Sequence, residues 1–139
     1  MIYMASDHAG FKLKEKIKKF LINKNFKFED LGPKKYNKKD DYPDFAKMVC
    51  KKVAKEKVLG ILICGTGQGM CIAANKQKGI RAALSWNKKT AKHAKEHLNA
   101  NIICLGSKFV NEKQTKEIIN VWMKSKFQKG RSLRRLNKI

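Results

Sequence analysis

The stretch Ile63–Lys76, ICGTGQGMCIAANK, holds the residues best suited to chemistry. Cys64 ends an apolar run, and Gly65, Gly67 and Gly69 follow at every second position. Glycines so placed let a strand turn tightly into a helix with backbone N–H groups facing outward, and such a turn binds anions. A thiolate beside it can act as a base or nucleophile, and helix-terminal N–H groups or a hydroxyl such as that of Thr66 favour the thiolate. Read alone, Cys64 is equally a small buried hydrophobe against a tight turn. Cys50, Cys71 and Cys104 fall inside apolar helix or strand patterns and read as structural, inert thiols.

The spacing excludes several named sites. The pattern is G-x-G-x-G rather than G-x-G-x-x-G, and no acidic residue follows about twenty positions on to hold a ribose. There is no G-K-[ST], so the turn is not a P-loop. A phosphatase of the Cys-x5-Arg kind needs arginine at position 70, where this chain has Met70.

Other candidates lie elsewhere along the chain. Asp7 and His8 follow the first apolar segment. His93 and His97 are four apart, a metal-ligand spacing, but no HExxH and no obvious third ligand accompany them. Of 33 basic residues only four are arginines, and three of those are Arg131, Arg134 and Arg135. Arg131 and Arg135 are one helical turn apart and share a face. Arginine suits bidentate recognition of phosphate or carboxylate better than lysine does.

These residues need elements to position them. Met1–Ala5 reads as a strand, and Phe11, Leu13, Ile17, Phe20 and Leu21 give a helix over 10–23. Phe26–Leu31 reads as a second strand, ended by GPKK, with a polar loop over 34–41. DYPDF opens a helix, with Pro43 and Asp44 suited to its first turn. Val58–Cys64 is continuously apolar, as in a strand buried on both faces. A short helix over MCIAANK, a strand IRAAL, a helix NKKTAKHAKEHL and a strand NIICLG follow. Asn111 caps a helix to about Phe127, and one more turn lies beyond Gly130. This alternation predicts a single α/β domain over 1–139, a Rossmann-like, doubly wound parallel sheet of five strands with helices on both faces. In such folds ligands sit beyond the carboxyl ends of the strands. SDH, CGTGQG and GSK all fall at such ends.

Composition narrows the class. The net charge of +22 raises nucleic-acid binding, but the lysines, Lys12, Lys14, Lys16, Lys18 and Lys19 among them, are scattered on helix faces. They read as solvated surface, with polyanion attraction a salt-sensitive side effect. No apolar run approaches the ~18 residues of a membrane span, and the start does not read as a signal peptide. Without a CxxC pair the four cysteines read as thiols of a cytoplasmic protein.

Taken together, SDHAGFKLK, DYPDFA, ILICGTGQGMCIAANK, GIRAAL, HLNAN and the GR with Arg135 resemble type B ribose-5-phosphate isomerase, a family that includes galactose-6-phosphate isomerase subunits. The resemblance covers nearly the whole chain in order. It implies a homodimer or dimer of dimers with shared sites, the basic segment of about 128–139 contributing to them, and no metal or organic cofactor. It implies an aldose–ketose isomerase of the pentose phosphate pathway, working through an enediolate. Cys64 would be the base, with Thr66 its supporting donor. Gly65, Thr66, Gly67, Gln68 and Gly69 would cradle the oxyanion, and His97 would open the furanose ring. Asp7 would bond sugar hydroxyls, while His8, Arg131 and Arg135 would grip the phosphate. Tyr42 would line the pocket and Lys108 would add charge. Some family members lack the cysteine and carry a glutamate where Met70 stands, which leaves Cys64 as the base here.

Three positions depart from the family pattern. Leu98 replaces an asparagine after the ring-opening histidine. Lys108 stands where arginine is usual, and Ser132 where histidine is common. Leu98 opens the alternative of a six-carbon aldose 6-phosphate, of allose or galactose type. A basic nucleic-acid-binding protein on this fold is the remaining alternative.

Overall fold

The computed structural model describes residues 1–139. Its strands are β1 (Ile2–Ser6), β2 (Phe28–Asp30), β3 (Leu59–Cys64), β4 (Ala82–Leu84) and β5 (Ile102–Gly106). They form one sheet in the order β2-β1-β3-β5-β4, every pairing parallel. The helices are α1 (Phe11–Asn23), α2 (Tyr42–Glu56), α3 (Gln68–Asn75), α4 (Lys88–Glu96), α5 (Glu112–Lys124) and α6 (Arg131–Leu136). This is the doubly wound α/β sheet that the alternation predicts.

The continuous apolar strands follow from burial on both faces, since successive side chains point to opposite sides. Ile2, Met4, Ile61, Ile63, Ile103 and Leu105 pack with residues of α1, α4 and α5 around the fully buried Trp122. Tyr3, Ala5, Leu62, Cys64, Ile102 and Cys104 pack under α2 and α3. Asn87 and Asn111 each accept an N–H from the third residue of the helix they cap, and that residue's side chain returns the bond. These capping boxes start α4 and α5 where the sheet needs them. No helix is long and apolar enough to cross a membrane.

Several boundaries shift from the sequence reading. The edge strand β2 is shorter, beginning at Phe28. α3 begins at Gln68, two residues early, because Gly67 at φ 75° completes the turn directly into the helix. α5 ends at Lys124, because Ser125 turns extended and Gln128 N–H bonds the Glu96 carbonyl at 2.9 Å, tying the linker to α4.

Lys14 is a correction of a different kind. It reads as a surface lysine, yet it is fully buried on the core stripe of α1. Its Nζ lies 2.6 Å from Asp30 Oδ2 and donates to the Pro33 carbonyl at 3.0 Å. Burial pushes the Asp30 carboxyl up, but hydrogen bonds from Lys14 and Lys18 outweigh it and hold the group below the usual carboxylate range. The pair anchors the chain where β2 leaves the sheet.

Candidate active site

Strand order reverses between β1 and β3, so the chain leaves their carboxyl ends toward opposite faces of the sheet, α1 on one and α3 on the other, and such a switch point is where folds of this kind bind ligands. The segment after β1 brings Asp7 and His8 to this point, and the segment after β3 brings Cys64–Gly69. Backbone approach is close. A Cβ on Gly10 would stand 2.6 Å from the Ile63 carbonyl oxygen, and one on Gly69 would stand 2.6 Å from the Tyr42 ring. The turn after β5 is bound in as well, with Ser107 N–H on the Cys64 carbonyl and Lys108 N–H on the Gly65 carbonyl, both at 2.9 Å.

Cys64 is 4% exposed, and its Sγ accepts the Gly67 N–H at 3.1 Å. Thr66 Oγ accepts the Gln68 N–H at 3.3 Å. The N–H groups of Gly65, Thr66 and Gly69 donate to no acceptor within the chain. They are therefore available to an anion. Met70 points away into the core and is fully buried.

Asp7 is buried, and its carboxylate accepts the Gly10 N–H at 3.1 Å. Burial pushes the Asp7 carboxyl up, against that hydrogen bond. His8 is half-buried and held by Asp40, which lies far off in sequence. Asp40 Oδ1 takes both the His8 backbone N–H and Nδ1 at 2.8 Å. This hydrogen bond raises the His8 imidazole above its ordinary value, partly opposed by desolvation. Asp40 is absent from the residues picked out by sequence, because nothing local links it to His8. The aliphatic part of Lys108 crosses Gly65. Its ammonium makes no ion pair within the chain.

The other residues singled out lie at the opposite edge. Cys64 pairs in register with Gly106, the last residue of β5. His97 follows α4 and precedes Ile102, the first. Traversing β5 alone covers about 13 Å at strand rise. At that amino edge His97, Arg131 and Arg135 line a cavity of about 280 Å³ with His93, Leu98 and Ser132. His97 Nδ1 is 3.4 Å from Ser132 Oγ, and its ring stacks 4.6 Å from that of His93. No cluster of His, Cys, Asp or Glu suited to a metal forms around the two histidines. Neither Arg131 nor Arg135 has a carboxylate partner, and both are exposed. One chain thus brings together Asp7, His8, Tyr42, Cys64–Gly69 and Lys108, and keeps His97, Arg131 and Arg135 apart from them.

The cysteines differ from one another. Burial pushes the Cys50 thiol up to about 12. Cys71 is half-exposed rather than sealed in the core, and a hydrogen bond from Cys104 lowers its thiol to about 7 against the effect of burial. When protonated it donates to the Ala82 carbonyl at 3.4 Å.

The sequence and the fold have close counterparts. The family described as Ribose/Galactose Isomerase matches residues 2–139. A probable ribose-5-phosphate isomerase B from Mycoplasma genitalium is 50% identical over 99% of this chain and 92% of its own length. The solved structure of ribose-5-phosphate isomerase B from that organism, with bound ribulose-5-phosphate, superposes with TM-score 0.95 at 49% identity, covering 99% of this chain and 91% of that one. The enzyme from Thermotoga maritima gives TM-score 0.95 at 42% identity, over 99% and 94%. The class is therefore an α/β isomerase. The chain belongs to the ribose/galactose isomerase family.

Proposed function

We propose that this isomerase interconverts ribose 5-phosphate and ribulose 5-phosphate as a homodimer, in the pentose phosphate pathway. The observation that carries the reading is Cys64 beside the free N–H groups of Gly65, Thr66 and Gly69. Aldose–ketose isomerisation moves a proton between adjacent carbons through an enediolate. It needs a base over the carbon and fixed donors for the developing oxyanion.

In this mechanism the Cys64 thiolate takes the proton from C2 and returns it to C1, while the hydroxyl proton passes from O2 to O1. The turn amides of Gly65, Thr66 and Gly69 hold the enediolate oxygen, Gly67 holds the Cys64 sulfur, and Gln68 and Thr66 support the loop. Asp7, its carboxyl pushed up by burial, exchanges hydrogen bonds with the sugar hydroxyls. His97 opens the furanose ring. His8, Arg131 and Arg135 grip the phosphate, Lys108 adds positive potential, and Tyr42 walls the pocket. Because the two groups of residues lie at opposite edges of one sheet, His97, Arg131 and Arg135 come from a second copy of the chain. The segment 128–139 is thereby the shared part of a single domain. The four unpaired thiols support a reducing, cytoplasmic setting.

The deciding measurement is ribulose 5-phosphate formation from ribose 5-phosphate by the wild type and by Cys64→Ala. Loss of a general base lowers kcat by about 10²–10⁴-fold. Full activity in the variant would sink this mechanism.

A second reading rests on Leu98, exposed at the wall of the His97 cavity. An apolar side chain there alters contact with the sugar and favours a six-carbon aldose 6-phosphate. Comparing kcat/KM on ribose 5-phosphate with that on allose and galactose 6-phosphates separates the two.

A further inference from the structure

We infer that Asp40 is a positioning residue: it aims His8 and holds it as the cationic donor that receives the substrate's phosphate. The inference rests on the sugar-phosphate reading above. Three observations carry it. Asp40 Oδ1 receives two N–H groups of His8, backbone and Nδ1, both at 2.8 Å. Two contacts from one residue fix the ring's orientation and assign the tautomer: Nδ1–H faces Asp40, and Nε2 remains for a ligand. The Asp40 side chain is only 9% exposed, so its charge acts with little screening. Its second oxygen, Oδ2, is buried and has no partner. A buried, unpaired carboxylate oxygen is costly. A clamp serving only loop structure gains nothing from carrying it, whereas a carboxylate whose charge is used does.

The surroundings fit. Asp40 ends the loop between β2 and α2, and its own N–H bonds the Asn37 carbonyl at 3.1 Å. At the far end of that loop Asp30 is anchored by Lys14 and Lys18. Tyr36, from the same loop, sets its ring edge-on to both His8 and Phe11 at about 6 Å. The titratable groups facing His8 are Asp7 beside it, Asp40 and Tyr36, with Lys108 nearby over Gly65. The two carboxylates favour the imidazolium. A cation that would otherwise lose its proton near neutrality is thus kept charged over a wider range, and His8 becomes a third positive group beside arginines that are always charged.

Two variants test this, Asp40→Ala and Asp40→Asn, with far-UV circular dichroism and the melting midpoint confirming the fold. Asn keeps a neutral acceptor for both His8 N–H groups and removes the charge. Asp40→Ala should raise KM for ribose 5-phosphate about tenfold, as expected for loss of a hydrogen bond to a charged group, with kcat within about twofold. In Asp40→Asn the rise in KM with pH should begin at lower pH, because His8 then deprotonates nearer its ordinary value. A purely structural clamp would leave Asp40→Asn with the wild-type pH profile, and that result overturns the inference. Should the wild type fail to turn over ribose 5-phosphate, the sugar-phosphate reading falls by itself. Inorganic phosphate, titrated while His8 is followed by NMR, then decides the role of Asp40. Weaker phosphate affinity in both variants supports it, and unchanged affinity overturns it.

Discussion

At the carboxyl edge of the sheet the candidate groups are held by the fold itself. Cys64 is the last residue of a strand buried from Gly60 onward, and Asp7 directly follows a fully buried one. The turns that carry them are tied by backbone hydrogen bonds and by backbone approaches that demand glycine at positions 10 and 67. At the amino edge the opposite holds. His97 has one long contact to Ser132 and a stack on His93, and Arg131 and Arg135 stand exposed on a six-residue helix. The first region is preorganised and pays no ordering entropy when a ligand arrives. The second offers two arginines with no carboxylate partner and a histidine with a single long hydrogen-bond contact. Under the function proposed above, one chain holds the base and the oxyanion cradle, and a second copy supplies the ring-opening histidine and the arginines.

The sharpest way to break this contrast is subunit complementation. Cys64→Ala and His97→Ala should each lose activity by 10²-fold or more. Mixing the two, unfolding and refolding them together, should restore about a quarter of the wild-type rate. In a symmetric dimer half the assemblies are mixed, and each mixed dimer has one site with both groups intact. Activity that stays at the level of the parents refutes the shared site.

The next largest effect concerns what anchors the preorganised half. Asp30→Ala leaves Lys14 buried without its 2.6 Å partner. Removing one member of a buried pair costs about 3–5 kcal/mol, which urea unfolding would register as a lower midpoint at unchanged slope. The pH dependence has a definite sign. The folded-state value of Asp30 is depressed, so its stabilisation is present above its ordinary value of 3.8 and lost as pH falls through the lower one. The variant should therefore show a flatter acid limb. An unchanged midpoint would mean that Glu15 and the Pro33 carbonyl already satisfy Lys14.

The carboxyl edge was also the more legible half. Its apolar strands, its glycine turn and Asn111 as a cap follow from local pattern, because a parallel sheet buried on both faces imposes its periodicity directly on the sequence. Lys14 escaped that logic: a lysine among lysines looks solvated, and only the fold brings it to Asp30, 16 positions away. Asp40 escaped it more completely, since its bond to His8 spans 32 positions. The amino-edge residues were legible as a cluster of types, a histidine and two arginines one turn apart. Their separation from Cys64 was not, because it depends on β5 running away from them.

Cys71 offers a smaller test within the same half. With its thiol lowered to about 7 and half exposed, its thiolate fraction climbs as pH rises through that value. Iodoacetamide at pH 7.5 should label Cys71 well before Cys50 and Cys104, which are buried with their thiols pushed up. Peptide mapping that finds Cys71 no faster than Cys104 would show that it is sealed after all.

The smallest expected effect probes the amino-edge cavity directly. Leu98 is 41% exposed beside His97, so replacing it with asparagine disturbs no core packing and should shift stability by no more than about 0.5 kcal/mol. Asparagine offers a donor and an acceptor where leucine offers neither. If a second copy lays this cavity over the Cys64 crevice, the amide gains one or two hydrogen bonds to the sugar, and KM for ribose 5-phosphate should fall by roughly three- to tenfold. kcat should change less, because such contacts are made in ground state and transition state alike. An unchanged KM would mean that Leu98 never faces the sugar and that the two edges dock in another arrangement. A fall confined to six-carbon phosphates would instead assign the cavity to the longer substrate.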